Sequence, residues 1–413
     1  MQRQPGRHAL AFIFFTILID TIGFGIILPV MPRLLVTLTG DTMAQATLVA
    51  GLLLTTYAAL QFVCGPIMGN LGDRYGRRPV LLISLAAFCL DYLLMGFAPS
   101  VGWLFVGRAI AGVAGAVYSP AMAYIADVSP PEKRAQSFGL VGAAFGLGFI
   151  IGPAIGGMLA VFGPRAPFFA AAALAGLNFF YGLFVLPESL PAERRRPFEW
   201  VRANPLGTLM ALRRYPVVLS IAGGVFLWQL GHQVYPSTWS FFAKIRFQWS
   251  DPEIGASLAF VGLLMAFTQG VLTGRIVPRI GEQRAILVGV GSGVLSMLLL
   301  AFATQTWVAY AAMAAGFLQG LAYPSMNAIM SKQVPANEQG ELQGGIASMM
   351  SLTTILGPLL MTQTLGRFSS AGSPVYFPGA AFLLASALAL LSLVLVFRAP
   401  IRASALPEAG QAG

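Results

Sequence analysis

Charge is what this 413-residue sequence most lacks: only 10% of it is Asp, Glu, Lys or Arg, against about 25% in a soluble domain. So few charges cannot coat a water-facing surface, and 57% of the chain is hydrophobic with a mean hydropathy of +0.76. Lipid is therefore the expected outer solvent. The only two cysteines, Cys64 and Cys89, lie in apolar stretches with no second Cys or His at ligand spacing, so they read as buried free thiols. Two histidines, His8 and His232, cannot build a metal site alone, so no metal is expected. No G-x-S-x-G elbow, Walker loop or H-E-x-x-H helix is present, which removes the basis for an enzyme or an ATP-driven machine. The net charge of +10 comes from basic residues in short segments between apolar runs. Nucleic acid needs them clustered on one face beside groove-reading or aromatic elements, so it is not an expected partner.

What the chain does have is long apolar runs. A membrane-spanning helix needs roughly 20 such residues, and 12 runs qualify. They fall at 9–31, 45–68, 79–98, 101–122, 136–161 and 166–187, then at 216–241, 253–275, 284–303, 307–329, 343–366 and 375–397. The first follows Arg3 and Arg7 as a signal peptide would, but more spans come after it, so it reads as a membrane helix. With both termini in the cytoplasm, 19 Lys and Arg residues lie inside; only Arg33, Arg165, Lys244, Arg246 and Arg367 lie outside. The polar stretch from Pro187 to Arg214, with Arg194, Arg195, Arg196 and three prolines, reads as a cytoplasmic linker. The expected division is thus 1–187, a linker at 188–214, and 215–413.

An internal repeat supports that division. A constant offset of 205 residues relates Gly69 to Gly274, Arg74 to Arg279, Gly76 to Gly281, Gly115 to Gly320, Pro130 to Pro335 and Pro153 to Pro358. Each half then holds six helices, an arrangement that many secondary transporters use to form a midplane cavity.

Between the second and third runs stands a segment dense in glycine, acid and base: Gly69, Asp73, Arg74, Gly76, Arg77 and Arg78. The glycines permit a tight turn and close helix approach. Asp73 can cap a helix or pair with a cation on another helix, making a latch that breaks when the molecule changes state. The blander reading is a positively charged cytoplasmic loop. This segment resembles the signature loop of the major facilitator superfamily, and the copy here is complete. The resemblance implies an all-α membrane protein of 12 helices in two pseudo-symmetric six-helix bundles.

In the fifth run Gly148, Gly152, Pro153, Gly156 and Gly157 let two backbones touch while proline bends the helix. The pattern resembles the antiporter motif of the superfamily's drug-exporting branch, which implies export.

Only three charges clearly interrupt apolar helices, where each costs at least about 2.5 kcal/mol: Asp20, Asp91 and Arg108, all in the first half. A carboxylate at low dielectric can exchange a proton near neutral pH, and a neighbouring guanidinium opposes that. This is the chemistry of proton coupling; the alternative is a hydrogen bond across helices. The second half offers polar and aromatic groups instead, Trp228, Gln229, His232, Gln233, Tyr235 and Trp239 in the seventh run and Gln269 in the eighth. A cavity lined this way suits an amphipathic aromatic ligand, and His232 reads equally as a second proton carrier or as a structural residue.

Asp20 ahead of Gly23 and Pro29, Asp91, Leu186-Pro187-Glu188-Ser189-Leu190, Asn204-Pro205-Leu206, Arg246-Phe247-Gln248-Trp249 and Leu342-Gln343-Gly344 resemble the tetracycline-exporter branch of the drug:proton antiporters. The sequence departs from that branch at Gln248, where members carry His, and at Gly293, where they carry Asp. The second departure removes a carboxylate. The expectation is a monomeric inner-membrane antiporter, free of cofactors and driven by the proton gradient, that exports an amphipathic drug-like molecule. A metabolite importer and a non-transporting membrane sensor are the alternatives.

Overall fold

A computed structural model describes residues 7–115, 118–129, 134–198, 216–335 and 338–398. Among them the chain is helical throughout, with no strand. Ten helical stretches are long and apolar enough to cross a membrane. They are Met43–Tyr75, Arg77–Phe97, Val101–Val128, Gly142–Phe162 and Ala166–Val185, followed by Val217–Phe247, Asp251–Ile280, Glu282–Phe302, Leu342–Ser369 and Ala380–Arg398. They correspond to spans two to six, seven to nine, eleven and twelve.

The remaining two spans are irregular. The first is not one helix to residue 31: Arg7–Ile27 ends before Pro29, and the chain resumes as Met31–Thr39 at 50° to it. Pro29 cannot donate to the helix, whereas Pro32 sits in the first turn of the new helix, where its missing N–H costs nothing. The tenth runs as Thr306–Ala315, a 3-10 turn at Phe317–Leu321, then Ala322–Lys332.

Side chains facing outward are apolar. Phe184 is 83% exposed, Met158 69% and Leu177 67%, so these faces need lipid against them. Inside, the first span packs on the fifth, the third on the sixth, the seventh on the twelfth and the ninth on the tenth. Two seams join the first six spans to the last six: second against eleventh, and fifth against eighth.

The cores show which end of those seams is shut. At one end a single apolar core mixes residues of both sets, among them Ile26, Leu34, Leu53, Trp239, Phe242 and Met361. At the other end the core separates into Ile13, Leu81, Tyr124 and Leu186 on one side and Val218, Ile286, Met326 and Ile346 on the other. Glycines agree with this. Methyl groups added at Gly51 or Gly366 would strike Thr362 or Leu48 across the second–eleventh seam, whereas Gly65, Gly142, Gly146, Gly270 and Gly274 have nothing within 4 Å. The gap opens at the end that carries the Gly69–Arg78 segment.

Candidate functional site

Asp91 on the third span and Arg108 on the fourth form a buried ion pair, with side-chain exposures of 0% and 6%. Gly107 makes the approach possible, since a methyl there would lie 2.6 Å from Asp91 Oδ1. Arg108 Nη2 also donates to Met95 Sδ at 2.9 Å, and its guanidinium carbon stands 5.8 Å from the Tyr57 ring centroid. Asp91 Oδ1 and Arg108 Nε have no hydrogen-bond partner. Such a pair holds together only while both charges are present.

Asp20 is half-buried on the first span, and among the described residues it has no hydrogen bond or ion-pair partner. One turn further on, Gly23 receives the Tyr92 side chain, whose hydroxyl would lie 2.9 Å from a methyl at that glycine. The structure therefore places Asp20, Tyr92, Asp91 and Arg108 in one neighbourhood between the first, third and fourth spans. Beneath the shared core, a cavity of about 50 Å3 is lined by Phe24, Leu28, Leu53, Arg108, Ser237 and Phe241 among others. It admits a few waters and not a drug-sized molecule.

The seventh-span residues divide. Trp228 and Trp239 are 2% and 4% exposed, packed within the last six spans; Trp239 Nε1 donates to Ser257 Oγ at 2.9 Å. Gln229, His232, Gln233 and Tyr235 are half-buried. Gln233 packs on Gly357 of the eleventh span, and the Tyr235 hydroxyl is 3.4 Å from Ser296 Oγ. Gln269 is exposed, in a π turn of the eighth span.

At the open end, Arg77 holds Asp73 at 2.5 Å and Asp127, at the end of the fourth span, at 3.7 Å. Glu188, just after the sixth span, accepts from the backbone N–H groups of Arg77 at 2.9 Å and Arg78 at 3.3 Å. It thereby caps the third span's N-terminus, where the helix dipole favours a carboxylate. Gly76 bridges the two spans at φ +106°, and a methyl there would collide with Glu188. Arg78 donates to Leu183 O at 2.7 Å, whereas Arg74 lies over the Tyr75 ring at 5.0 Å. Gly69 is half-buried in the last turns of the second span.

The fifth-span glycines serve two faces. Methyls at Gly148, Gly152 and Gly156 would press into Thr21, Ile22 and Ile26 of the first span, and Pro153 fills the space beside Gly25. Gly157 turns the other way, onto Asp251, Pro252 and Gly255 of the eighth span. Asp251 is 5% exposed in its side chain, 2.5 Å from Lys244 and 3.6 Å from Arg33. Arg33 belongs to the first six spans, so this triad crosses between the two sets at the shut end.

The sequence profile of the Major Facilitator Superfamily matches residues 13–358 and 292–412. The chain belongs to this superfamily. It is similar to the class C tetracycline resistance protein of Escherichia coli, at 40% identity over 94% of this chain and 96% of that relative. It is also similar to the class G protein of Vibrio anguillarum, at 38% over 83% and 87%. Among solved structures, the human organic anion transporter MFSD10 superposes with a TM-score of 0.69 at 25% identity, covering 95% of this chain and all, 100%, of that one. The nucleoside transporter NupG shares the fold, with a TM-score of 0.75 at 13% identity over 95% of this chain and 100% of that one. Like these relatives, the chain is a multi-pass membrane transporter of the major facilitator fold, not an enzyme.

Three residues of this superfamily member carry structural roles that their sequence positions did not announce. Glu188 and Asp127 join the Arg77 cluster from distant segments, and Asp251 reads on paper as an ordinary first-turn acid. The Gly293 position is explained: Trp228 fills it, with Cη2 2.6 Å from where a methyl would stand. Of the 188–214 linker, residues 199–214, with Asn204, Pro205 and Leu206, lie outside the described residues.

Proposed function

We propose that this chain is a proton-driven exporter of an amphipathic, tetracycline-like small molecule, working as a monomer in a bacterial-type inner membrane with both termini in the cytoplasm. Residues 1–187 and 215–413 form its two moving halves, joined by 188–214. The observation that carries the reading is Arg108, which lines the cavity between the halves while paired with the buried Asp91.

A proton arriving on Asp91 cancels the charge that holds Arg108 and frees the guanidinium to move. Asp20, without a partner and one turn from the Tyr92 contact, is the second carboxylate through which protons reach the pair. In the state described, the open end admits substrate from the cytoplasm and the Arg33–Asp251–Lys244 triad shuts the far side. The half-buried Gln229, His232, Gln233 and Tyr235 face the ligand with uncharged polar and aromatic groups. No cofactor is needed, because the proton gradient supplies the energy.

The test is proton movement in proteoliposomes holding an imposed pH gradient, with tetracycline added to wild type, Asp20→Asn and Asp91→Asn. Collapse of the gradient on addition, lost in either variant, is the expected result. Wild-type vesicles that hold their gradient, or variants that behave as wild type, overturn the reading.

A further inference from the structure

Arg108 cannot answer the loss of its partner by giving up its own proton, because a guanidinium stays charged at any pH the chain tolerates. Once Asp91 is neutral, the cation needs another group within reach, or it stands buried and alone. The cavity beside it, about 50 Å3, offers a few waters between mostly apolar walls such as Phe24, Leu28 and Leu53.

The second span supplies such a group. Arg108, Gly112 and Gly115 fall at spacings of four and three, so they share one face of the fourth span. The two glycines let the second span come in against that face. A methyl at Gly112 would lie 2.7 Å from Tyr57 O, and one at Gly115 would lie 2.7 Å from Tyr57 Oη. Gln61, one turn after Tyr57, donates from Nε2 to the Tyr57 hydroxyl at 3.3 Å and to Gly115 O at 2.9 Å, which fixes the ring. The ring so held has Arg108 Cζ 5.8 Å from its centroid, inside the roughly 6 Å over which an aromatic face attracts a cation. Arg108 Nε, buried and without a hydrogen bond, shows that Asp91 does not use up the guanidinium. The charged groups around the Tyr57 side chain are Arg108, Asp91 and Asp20. The guanidinium thus stands between two stations, the carboxylate on the third span and the ring on the second. Two residues before Tyr57, Thr55 Oγ1 donates to Ile355 O at 3.1 Å across the second–eleventh seam. The second span therefore carries the ring on one face and the seam near the opposite one.

We infer that Tyr57 is a positioning residue for proton exchange: its ring receives the Arg108 guanidinium when Asp91 takes up a proton, and hands it back when the proton leaves. Attraction to Asp91 ties the fourth span to the third. Attraction to Tyr57 ties it to the second, which borders the last six spans. This rests on the exporter reading and adds to it the group that Arg108 turns to.

The test compares Tyr57→Phe with the same variant carrying one, two and three fluorines on the ring, which drain the π face while nearly keeping its shape. Thermal unfolding of the full chain in detergent is read with Asp91 present and with Asp91→Asn. Tetracycline-driven proton exchange in proteoliposomes is read with Asp91 present. The melting temperature is expected to fall with each fluorine in Asp91→Asn, where the ring is the cation's remaining station, and to fall less when Asp91 is present. Exchange is expected to slow with each fluorine, by about tenfold at three relative to Tyr57→Phe. Equal fluorine dependence in the two backgrounds, or exchange indifferent to fluorine, overturns the proposal, because a ring that only fills space does not respond to its π density. Wild type that moves no protons overturns the exporter reading and the exchange role with it, whereas the unfolding contrast still decides whether the ring receives Arg108.

Discussion

Lys332 Nζ lies 2.6 Å from Glu282 Oε1, and the two stand 205 positions on from Asp127 and Arg77, which form an ion pair of their own at 3.7 Å. The contact survives the repeat with its charges exchanged. The later pair is the more open, with Lys332 57% exposed against 12% for Arg77, and an exposed pair contributes about 0–1 kcal/mol. Lys332→Gln is therefore expected to lower the melting temperature by a few degrees at most. Arg77→Gln, which also releases Asp73, is expected to lower it more, and swapping both charges in Glu282→Lys with Lys332→Glu restores the wild-type value. Thermal unfolding in detergent checks all three.

Gly76→Ala faces two obstacles, a left-handed backbone and the Glu188 carboxylate. The first alone costs about 1–2 kcal/mol. Glu188→Ala removes the clash but leaves the third span uncapped, at about 1 kcal/mol. The double variant should unfold at a lower temperature than Glu188→Ala alone. Equal melting temperatures for the two would show that Gly76 is free of strain.

Asp91→Asn leaves Arg108 as a buried, unpaired cation, a loss of about 3–5 kcal/mol. Asp91→Asn with Arg108→Gln removes both charges and should recover most of the stability without recovering proton exchange. Asp20→Asn, which breaks no ion pair, should melt as wild type does and still fail to exchange protons. The contrast separates the structural duty of Asp91 from the transport duty of both acids.

Asp251→Asn should loosen the shut end. A cysteine placed at Ser240, on the cavity wall, is expected to react faster with a membrane-impermeant maleimide from outside intact cells when Asp251 is replaced. Unchanged labelling would mean that the glycine seams alone keep that end closed.

Much of the fold was legible because hydrocarbon permits so few solutions: apolar runs of spanning length, basic loops between them and a 205-residue repeat leave little else. Asp91 and Arg108 stood out for the same reason, as charges where charge is expensive. Pro29 and Pro32 carried the signal for the bend in the first span, although the apolar run continues across it. Trp228 and Trp239 look alike on paper whether they line a gap or fill a core, because helical spacing does not say which neighbour covers a face. Glu188 and Asp251 were beyond reach, since a cap given to a helix over a hundred residues earlier and an ion pair between bundles depend on the assembled chain.

At the fifth–eighth seam the two halves meet backbone to backbone. Gly157 and Gly255 bring the main chains of the two spans together with no side chain between them. Long side chains would yield by changing rotamer, and the closure could stop anywhere along a range; peptide planes do not yield. The shut end therefore has a hard stop, and the transporter works between discrete positions, more a toggle than a hinge.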